Sequence, residues 1–537
     1  MSANYSTKGI DHLGLVSGIC QEIGLVEFID NSLPKQSDQK LISNGQLVLA
    51  MILNGLGFVG RTLHMYPEYF LERPVERLIG KGITSEMIND DALGRCLDQL
   101  FETGVSPLYQ GLSELVVQHL ELPCEGINLD STSIHVDGRY DNDGGDINAI
   151  KLVKGYSRDH RPELNQVVLN LITENQAGIP VYMQAASGNT VDTKGFKKIV
   201  KAHLGSLKAA QACRYFIGDA ALYVAETIQS LSEQNQLFIS RVPQKITQAK
   251  QLLAQKADYQ FQAFDNGYSG VWVNSDYAGV EQRWLLVHSE QAEKRGQFIL
   301  DKKVLNRSKD SQKTFKKLCQ RRFSCRKDAE EALSCWEQLQ DFARVSQSEI
   351  LAHEIYAKSG RPKLNAEPLK LEYQIAGQLY CDLERRQTAL SQKGLFILAT
   401  NDCGPELEMA KLLKLYKSQQ SVEKGFRFLK SPDFLTSSLY LKKPERIEAL
   451  LMIMTCCLMV YAALEYKIRR ELKAQDVFFP DMKYKPSQNP TARWVFFCFQ
   501  RIDELSIEGE QRLVLNLQER QQTVINCLGD IYQQIYS

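Results

Sequence analysis

Apolar residues recur with helical spacing through Ile10–Ile29, Gln46–Leu56 and Leu93–Phe101, which predicts amphipathic helices. Asn89-Asp-Asp-Ala-Leu-Gly-Arg95 reads as the capped start of the third. The texture then changes. Gly126-Ile-Asn-Leu-Asp130 and Cys213-Arg-Tyr-Phe-Ile-Gly-Asp219 are short apolar runs that break at an Asp followed by small residues, the pattern of a buried strand with a carboxylate at its tip. Val167–Thr173 and Ile179–Met183 read as a hairpin, and the alternation in Ser269–Asn274 and Arg283–His288 predicts two further strands. The most apolar stretch, Ala449–Leu464, is sixteen residues long and bracketed by Glu448 and Glu465. That is short for a bilayer span, so it is expected to be a buried core helix, entered through Pro444 in its first turn.

One polar stripe stands apart. Tyr416, Gln419, Glu423 and Lys430 lie at offsets of 0, 3, 7 and 14, which stack on one face of a continuous helix at about 3.6 residues per turn. A phenol, an amide, a carboxylate and an ammonium on one face suit the holding of a metal and a phosphate. A single acidic residue is ordinarily a solvated charge or a cap. Three in the order Asp130, Asp219, Glu423, with intervals of 89 and 204 residues, are not so easily set aside.

The stripe resembles the Y-x2-R-x3-E-x6-K signature of insertion-sequence DDE transposases of the insertion sequence 4 superfamily, and the chain looks most like the insertion sequence 1634 branch. Tyr416, Glu423 and Lys430 match, whereas Gln419 stands where the signature has Arg. The resemblance implies an α/β, ribonuclease H-like catalytic core interrupted by a long insertion and preceded by a helical N-terminal domain. It makes Asp130, Asp219 and Glu423 both the catalytic residues and the ligands of two Mg²⁺ or Mn²⁺ ions. Tyr416, Gln419 and Lys430 become contacts to DNA. Gln offers one amide where Arg would offer a charged fork.

Further landmarks follow from the same resemblance. Lys154-Gly-Tyr-Ser-Arg-Asp-His-Arg-Pro-Glu-Leu-Asn-Gln166 is similar to a Gly-x-Ser-Lys-Asp-x-Arg-Pro-Asp-Leu segment and places Arg158 and Arg161 near DNA; read from composition alone it is a polar loop with a proline turn. Gly188-Asn-Thr-Val-Asp192, Phe238-Ile-Ser-Arg-Val-Pro243 and Phe396-Ile-Leu-Ala-Thr-Asn401 are also similar to family segments. Asn401 is either a substrate contact or a cap. Trp272 and Trp284 are either base-stacking residues or core.

Charge complicates a DNA-handling role. The 537 residues carry 64 basic and 64 acidic side chains, whereas phosphate neutralisation uses basic surface. The charge must therefore be segregated. Between Lys302 and Lys327 there are eleven Lys or Arg against one Asp, a local charge of +10. At helical spacing Lys313, Lys316 and Lys317 fall toward one side, as DNA contacts or as a solvated face. Thirteen cysteines show no paired zinc spacing and imply no disulfide framework. No signal sequence is read at the start, which predicts a reducing, bacterial-type cytoplasmic and nucleoid-associated protein with no membrane contact.

The expected layout is a helical end-binding domain over 1–120, a first core half over 121–241, an insertion of strands then basic helices over 242–392, a second core half over 393–470, and a tail over 471–537. The tail packs on the core or forms a dimer surface. The expected partners are double-stranded DNA at terminal inverted repeats, target DNA, and a second copy of the chain in the active complex. The reaction expected is cutting and rejoining of element ends. An inactive DNA-binding repressor or a plain metal-dependent nuclease would share much of this pattern.

Overall fold

The computed structural model describes residues 5–34, 41–58, 62–123, 125–136, 140, 149–157, 161–190, 213–356, 367–431, 441–507 and 511–537. These fall into two compact units: 1–241 with 275–282 and 399–537, and 242–274 with 283–398.

The first unit opens with strand β1 (Tyr5–Gly9) and the helices α1 (Leu13–Glu22), α2 (Asn44–Leu56), α3 (Asp90–Thr103) and α4 (Val105–His119). Ser43 starts α2 with a capping box closed by Gln46, and the Asn89 side chain caps α3 through the Ala92 N–H. Strands β2 (Gly126–Val136), β3 (Asn165–Glu174), β4 (Pro180–Ser187), β5 (Tyr215–Gly218) and β6 (Leu237–Arg241) follow. They lie side by side in the order β4-β3-β2-β5-β6. β2, β3 and β4 are antiparallel neighbours, whereas β2, β5 and β6 run parallel. The result is a mixed sheet behind a helical N-terminal region. Its β3–β4 turn is held by the buried Glu174 carboxylate, which accepts the N–H groups of Gln176, Ala177 and Ile179 at 2.7–2.8 Å.

The long apolar helix, Pro444–Ala474, is the spine of this unit. It is long and apolar enough to cross a membrane, yet 83% of its most apolar window is buried inside the protein. Cys456, Cys457 and Thr455 are sealed from solvent, and the Thr455 hydroxyl donates to the Leu451 carbonyl. That is the expected core helix, extended to 31 residues.

The tail packs inward. Strands Asp503–Ile507 and Gln511–Leu515 pair with each other, and the first of them pairs antiparallel with β1. Helix Asp530–Ile535 lies on α1 so closely that a Cβ on Gly14 or Gly18 would come within 2.6 Å of the Tyr536 or Tyr532 ring. Arg77 binds Glu504 at 2.5 Å and donates to the carbonyls of Ile535 and Ser537. Buried Lys467 is paired with Glu22, which also accepts from the Tyr532 hydroxyl.

The second unit contains the hairpin Gln262–Asp265/Tyr268–Ser275, a strand over Gln282–Ser289, helix α5 (Glu290–Cys319), helix α6 (Arg326–Gln338), and the long antiparallel ribbon Ala343–Ile355/Lys370–Cys381. Its core is small: Phe315, Leu318, Phe323, Ala329, Trp336 and Ile375. α5 has four buried residues in thirty, so most of its surface faces solvent. Cys213 is disulfide-bonded, although the cysteine spacing implied no disulfide framework, while the other described cysteines are not in disulfides.

Candidate active site

In β2 the buried pattern is interrupted at Asp130, and the carboxylate accepts the Ser131 N–H at 2.8 Å. The parallel register sets Leu129 beside Gly218, and Gly218 beside Ser240. Asp130, Asp219 and Arg241 each follow this last paired rung by one residue, Asp130 and Arg241 within β2 and β6 and Asp219 just past the end of β5. Adjacent strands are about 4.8 Å apart, so the two aspartates are neighbours although 89 residues separate them in sequence. The Asp219 carboxylate accepts the Ala221 N–H at 2.9 Å, and its carbonyl accepts the Ser240 hydroxyl at 2.8 Å. Those bonds fix the strand end that carries it.

The signature stripe approaches from the far side of the sequence. It is not the single helix its spacing predicts: Met409–Lys417 (α7) ends, and Gln420–Leu429 (α8) begins after a two-residue join at Ser418 and Gln419. The reason is local. The Ser418 hydroxyl is drawn to the Leu415 carbonyl at 2.6 Å and lies 3.1 Å from Asn128 of β2, and the backbone tightens to a Gln419 N–H···Tyr416 carbonyl bond. Lys430 is the residue that ends α8. The buried face of α8, Val422, Phe426 and Leu429, packs toward β2 and the spine helix, leaving Glu423 exposed in the first turn.

Tyr416 joins these parts electrostatically. Burial pushes its phenol pKa up, the Arg241 guanidinium that hydrogen-bonds it pulls the other way, and the charges of Asp219 and Glu423 add to the rise. The phenol is therefore a neutral donor with both acids in its surroundings. Arg241 is the functional candidate that the sequence did not disclose; its segment was visible, but only the fold brings its guanidinium to the Tyr416 hydroxyl.

Gln419 is 7% exposed, which leaves its amide little access to a phosphate. Arg161 is exposed and paired with Glu163, its N–H bound to the Ser157 hydroxyl. Arg158 and Asp192 lie outside the described residues. Asn401 bridges to the Phe238 N–H and the Gln236 carbonyl, a strand-like brace. In the second unit Lys313, Lys316 and Lys317 are exposed along α5. Trp284 is buried at 2% exposure, so it is core; the Trp272 ring is covered by the Arg283 guanidinium at 4.4 Å.

Among the described residues no group of three or more His, Cys, Asp or Glu side chains is gathered closely enough to hold a metal. The donors at this edge of the sheet are the carboxylates of Asp130 and Asp219, the oxygen-only kind of ligand that a hard cation accepts while water and phosphate complete its shell.

A transposase DDE domain family model matches residues 125–460. The chain belongs to the DDE transposase family. Residues 5–114 of this transposase match a domain of unknown function, DUF4277. Among solved structures it is similar to a piggyBac transposase in a synaptic complex with hairpin DNA, at 10% identity over 90% of this chain and 79% of that one, with a TM-score of 0.36. No curated protein matches.

Proposed function

We propose that this transposase cuts the ends of an insertion sequence and rejoins them to target DNA by metal-assisted phosphoryl transfer, as a member of the insertion sequence 4 superfamily with a ribonuclease H-like core. The observation that carries this reading is the parallel register of β2 and β5, whose last pair, Leu129 and Gly218, immediately precedes Asp130 and Asp219, with Tyr416 under the influence of both Asp219 and Glu423. Asp130, Asp219 and Glu423 are the residues that would hold Mg²⁺ or Mn²⁺, two ions in all. Bound there, the ions supply Lewis acidity and a nucleophile activated at neutral pH.

The chain's own groups do the positioning. The neutral Tyr416 hydroxyl donates to a phosphate oxygen, Arg241 brings a guanidinium to the same edge, and Lys430 adds a point charge. Asp219 is held by its turn, so it need not reorganise when a phosphate arrives. Arg161 and the lysines of α5 contact the DNA backbone and fix register rather than sequence. Two ends handled together imply a dimer in the active complex.

The absence of a ready-made three-acid cluster among the described residues favours one rival, a protein that binds ends without cutting them. Labelled duplexes carrying the element's ends separate the two. Wild type should cut and join with Mg²⁺ or Mn²⁺, and Glu423→Gln should bind the ends and do neither. Binding without cutting by both proteins would establish the rival, and equal cutting by both would remove Glu423 from the site.

A further inference from the structure

Beyond residue 460, outside both family matches, a short hairpin presents a surface that the active site does not use. Phe479 and Pro480 pair with Ser487 and Pro486, and the five residues between them form a tightly bound turn. The Asp481 carboxylate accepts the N–H groups of Lys483 and Lys485 at 2.7 and 2.8 Å, and the Asp481 N–H donates to the Lys485 carbonyl at 2.8 Å. Buried Phe479 anchors the base, and the Trp494 indole N–H donates to the Pro480 carbonyl at 2.8 Å.

What this turn displays is unusual for a solvent-facing loop. Met482 is 72% and Tyr484 83% exposed, with exposed Lys483 and Lys485 on either side of the ring. Phe478 and Phe497 add half-exposed aromatic surface, the latter stacked on Trp494. Tyr484 has φ +60°, a left-handed conformation that disfavours a bulky side chain and that Gly or Asn adopts readily. The turn by itself would be better served by glycine. A strained aromatic held outward between two cations therefore points to a use outside the fold.

We infer that this hairpin is a second DNA contact, in which Lys483 and Lys485 bind phosphates of a duplex while Met482 and Tyr484 press on a base step. The charge pattern selects this occupant: the one carboxylate of the turn is turned inward onto backbone N–H groups, leaving cations and apolar groups outside. Apolar wedges beside lysines are the means by which proteins enter the minor groove and stack on loosened bases. The inference rests on the DNA-handling role proposed above, at a place remote in sequence from Asp130, Asp219 and Glu423.

The strain makes the test selective. Full-length wild type, Tyr484→Gly and the double variant Lys483→Gln/Lys485→Gln are compared by fluorescence anisotropy on a labelled end duplex over a salt series, with melting temperatures and sedimentation alongside. Tyr484→Gly should melt at or above wild type, because the turn is relieved, and yet bind the duplex roughly tenfold more weakly. The lysine variant should lower the slope of log affinity against log salt by about 1.8, two phosphate contacts' worth. Unchanged affinity and slope in both variants, with normal wild-type binding, would overturn this inference alone. A change confined to self-association would overturn it in favour of a second copy of the chain. Wild type that binds no duplex would overturn it together with the functional reading.

Discussion

Arg241 offers the sharpest test of the site. It is exposed, so Arg241→Gln removes a cation without opening the core, and the Tyr416 hydroxyl keeps a polar neighbour. The fold should be unaffected within about 0.5 kcal/mol, as for other surface changes. The functional cost is larger. A hydrogen bond between charged partners contributes roughly 1.5–3 kcal/mol, which corresponds to about 10- to 150-fold in rate or affinity. The geometry predicts that the loss falls on chemistry as well as binding, since Arg241 follows the Gly218–Ser240 rung that precedes Asp219 and Tyr416 takes its hydrogen bond from it. Arg241→Lys keeps the charge but not the fork and should fall between the two. The assay is single-turnover cleavage of labelled ends at saturating protein, with melting temperature as the control for folding. Cleavage by Arg241→Gln within twofold of wild type would refute the reasoning, because the register would then place a mere surface charge beside the acids.

Three other outcomes are expected. Burial lifts the Glu448 carboxyl to about 7 from 4.5; the folded protein holds this proton at pH values where the unfolded chain has lost it, so stability is full below 4.5 and falls as pH rises through 7. The whole effect is on the order of 3 kcal/mol at about 1.36 per unit, and Glu448→Gln should flatten the urea midpoint between pH 5 and 8; an unaltered pH slope would contradict this. A Cβ at Gly155 would stand 2.0 Å from the Gly188 carbonyl oxygen, so Gly155→Ala should cost roughly 1–3 kcal/mol and speed limited proteolysis of the loop before Gln166; wild-type cleavage rates would show that the backbone can give way. Replacing Lys313, Lys316 and Lys317 by Gln should reduce the salt slope of DNA binding by up to about 2.7, and a slope equal to wild type would leave them as a solvated face.

The parts of the site that were legible in the sequence are those whose cause is local. Asp219 shows because a short buried run ends at its carboxylate, just past β5; at Asp130 the same break does not mark the expected strand tip, because β2 runs on through it to Val136, its pairing with β3 unbroken. The apolar spine around Cys456 shows because nothing else accounts for a fully buried helix. The continuous helix expected over Tyr416–Lys430 fails at Ser418, whose hydroxyl finds an acceptor on β2 some 290 residues earlier, a contact no periodicity reports. Arg241 and the pairing of β1 with Asp503–Ile507 were hidden for the same reason. Register between distant strands is a tertiary property, and an arginine after Phe-Ile-Ser carries no mark of what stands beside it.

The zero net charge is a weaker objection to DNA binding than the totals suggest. Many of the acids in the first unit are neutralised where they stand: Asp98 by Arg446 at 2.7 Å, Glu504 by Arg77, Asp11 by Arg73 at 2.6 Å, Glu22 by Lys467. Those pairs hold helices and tail together and contribute little field at a distance. The basic run of α5 is different. Lys309, Lys313, Lys316 and Lys317 are exposed on a helix whose solvent face has few acids after Asp310. Screening confines a phosphate's attention to charges within about 8–10 Å. DNA docked on α5 would therefore meet the local +10 between Lys302 and Lys327 rather than the protein's sum, and the salt slope, not the isoelectric point, is the quantity that measures it.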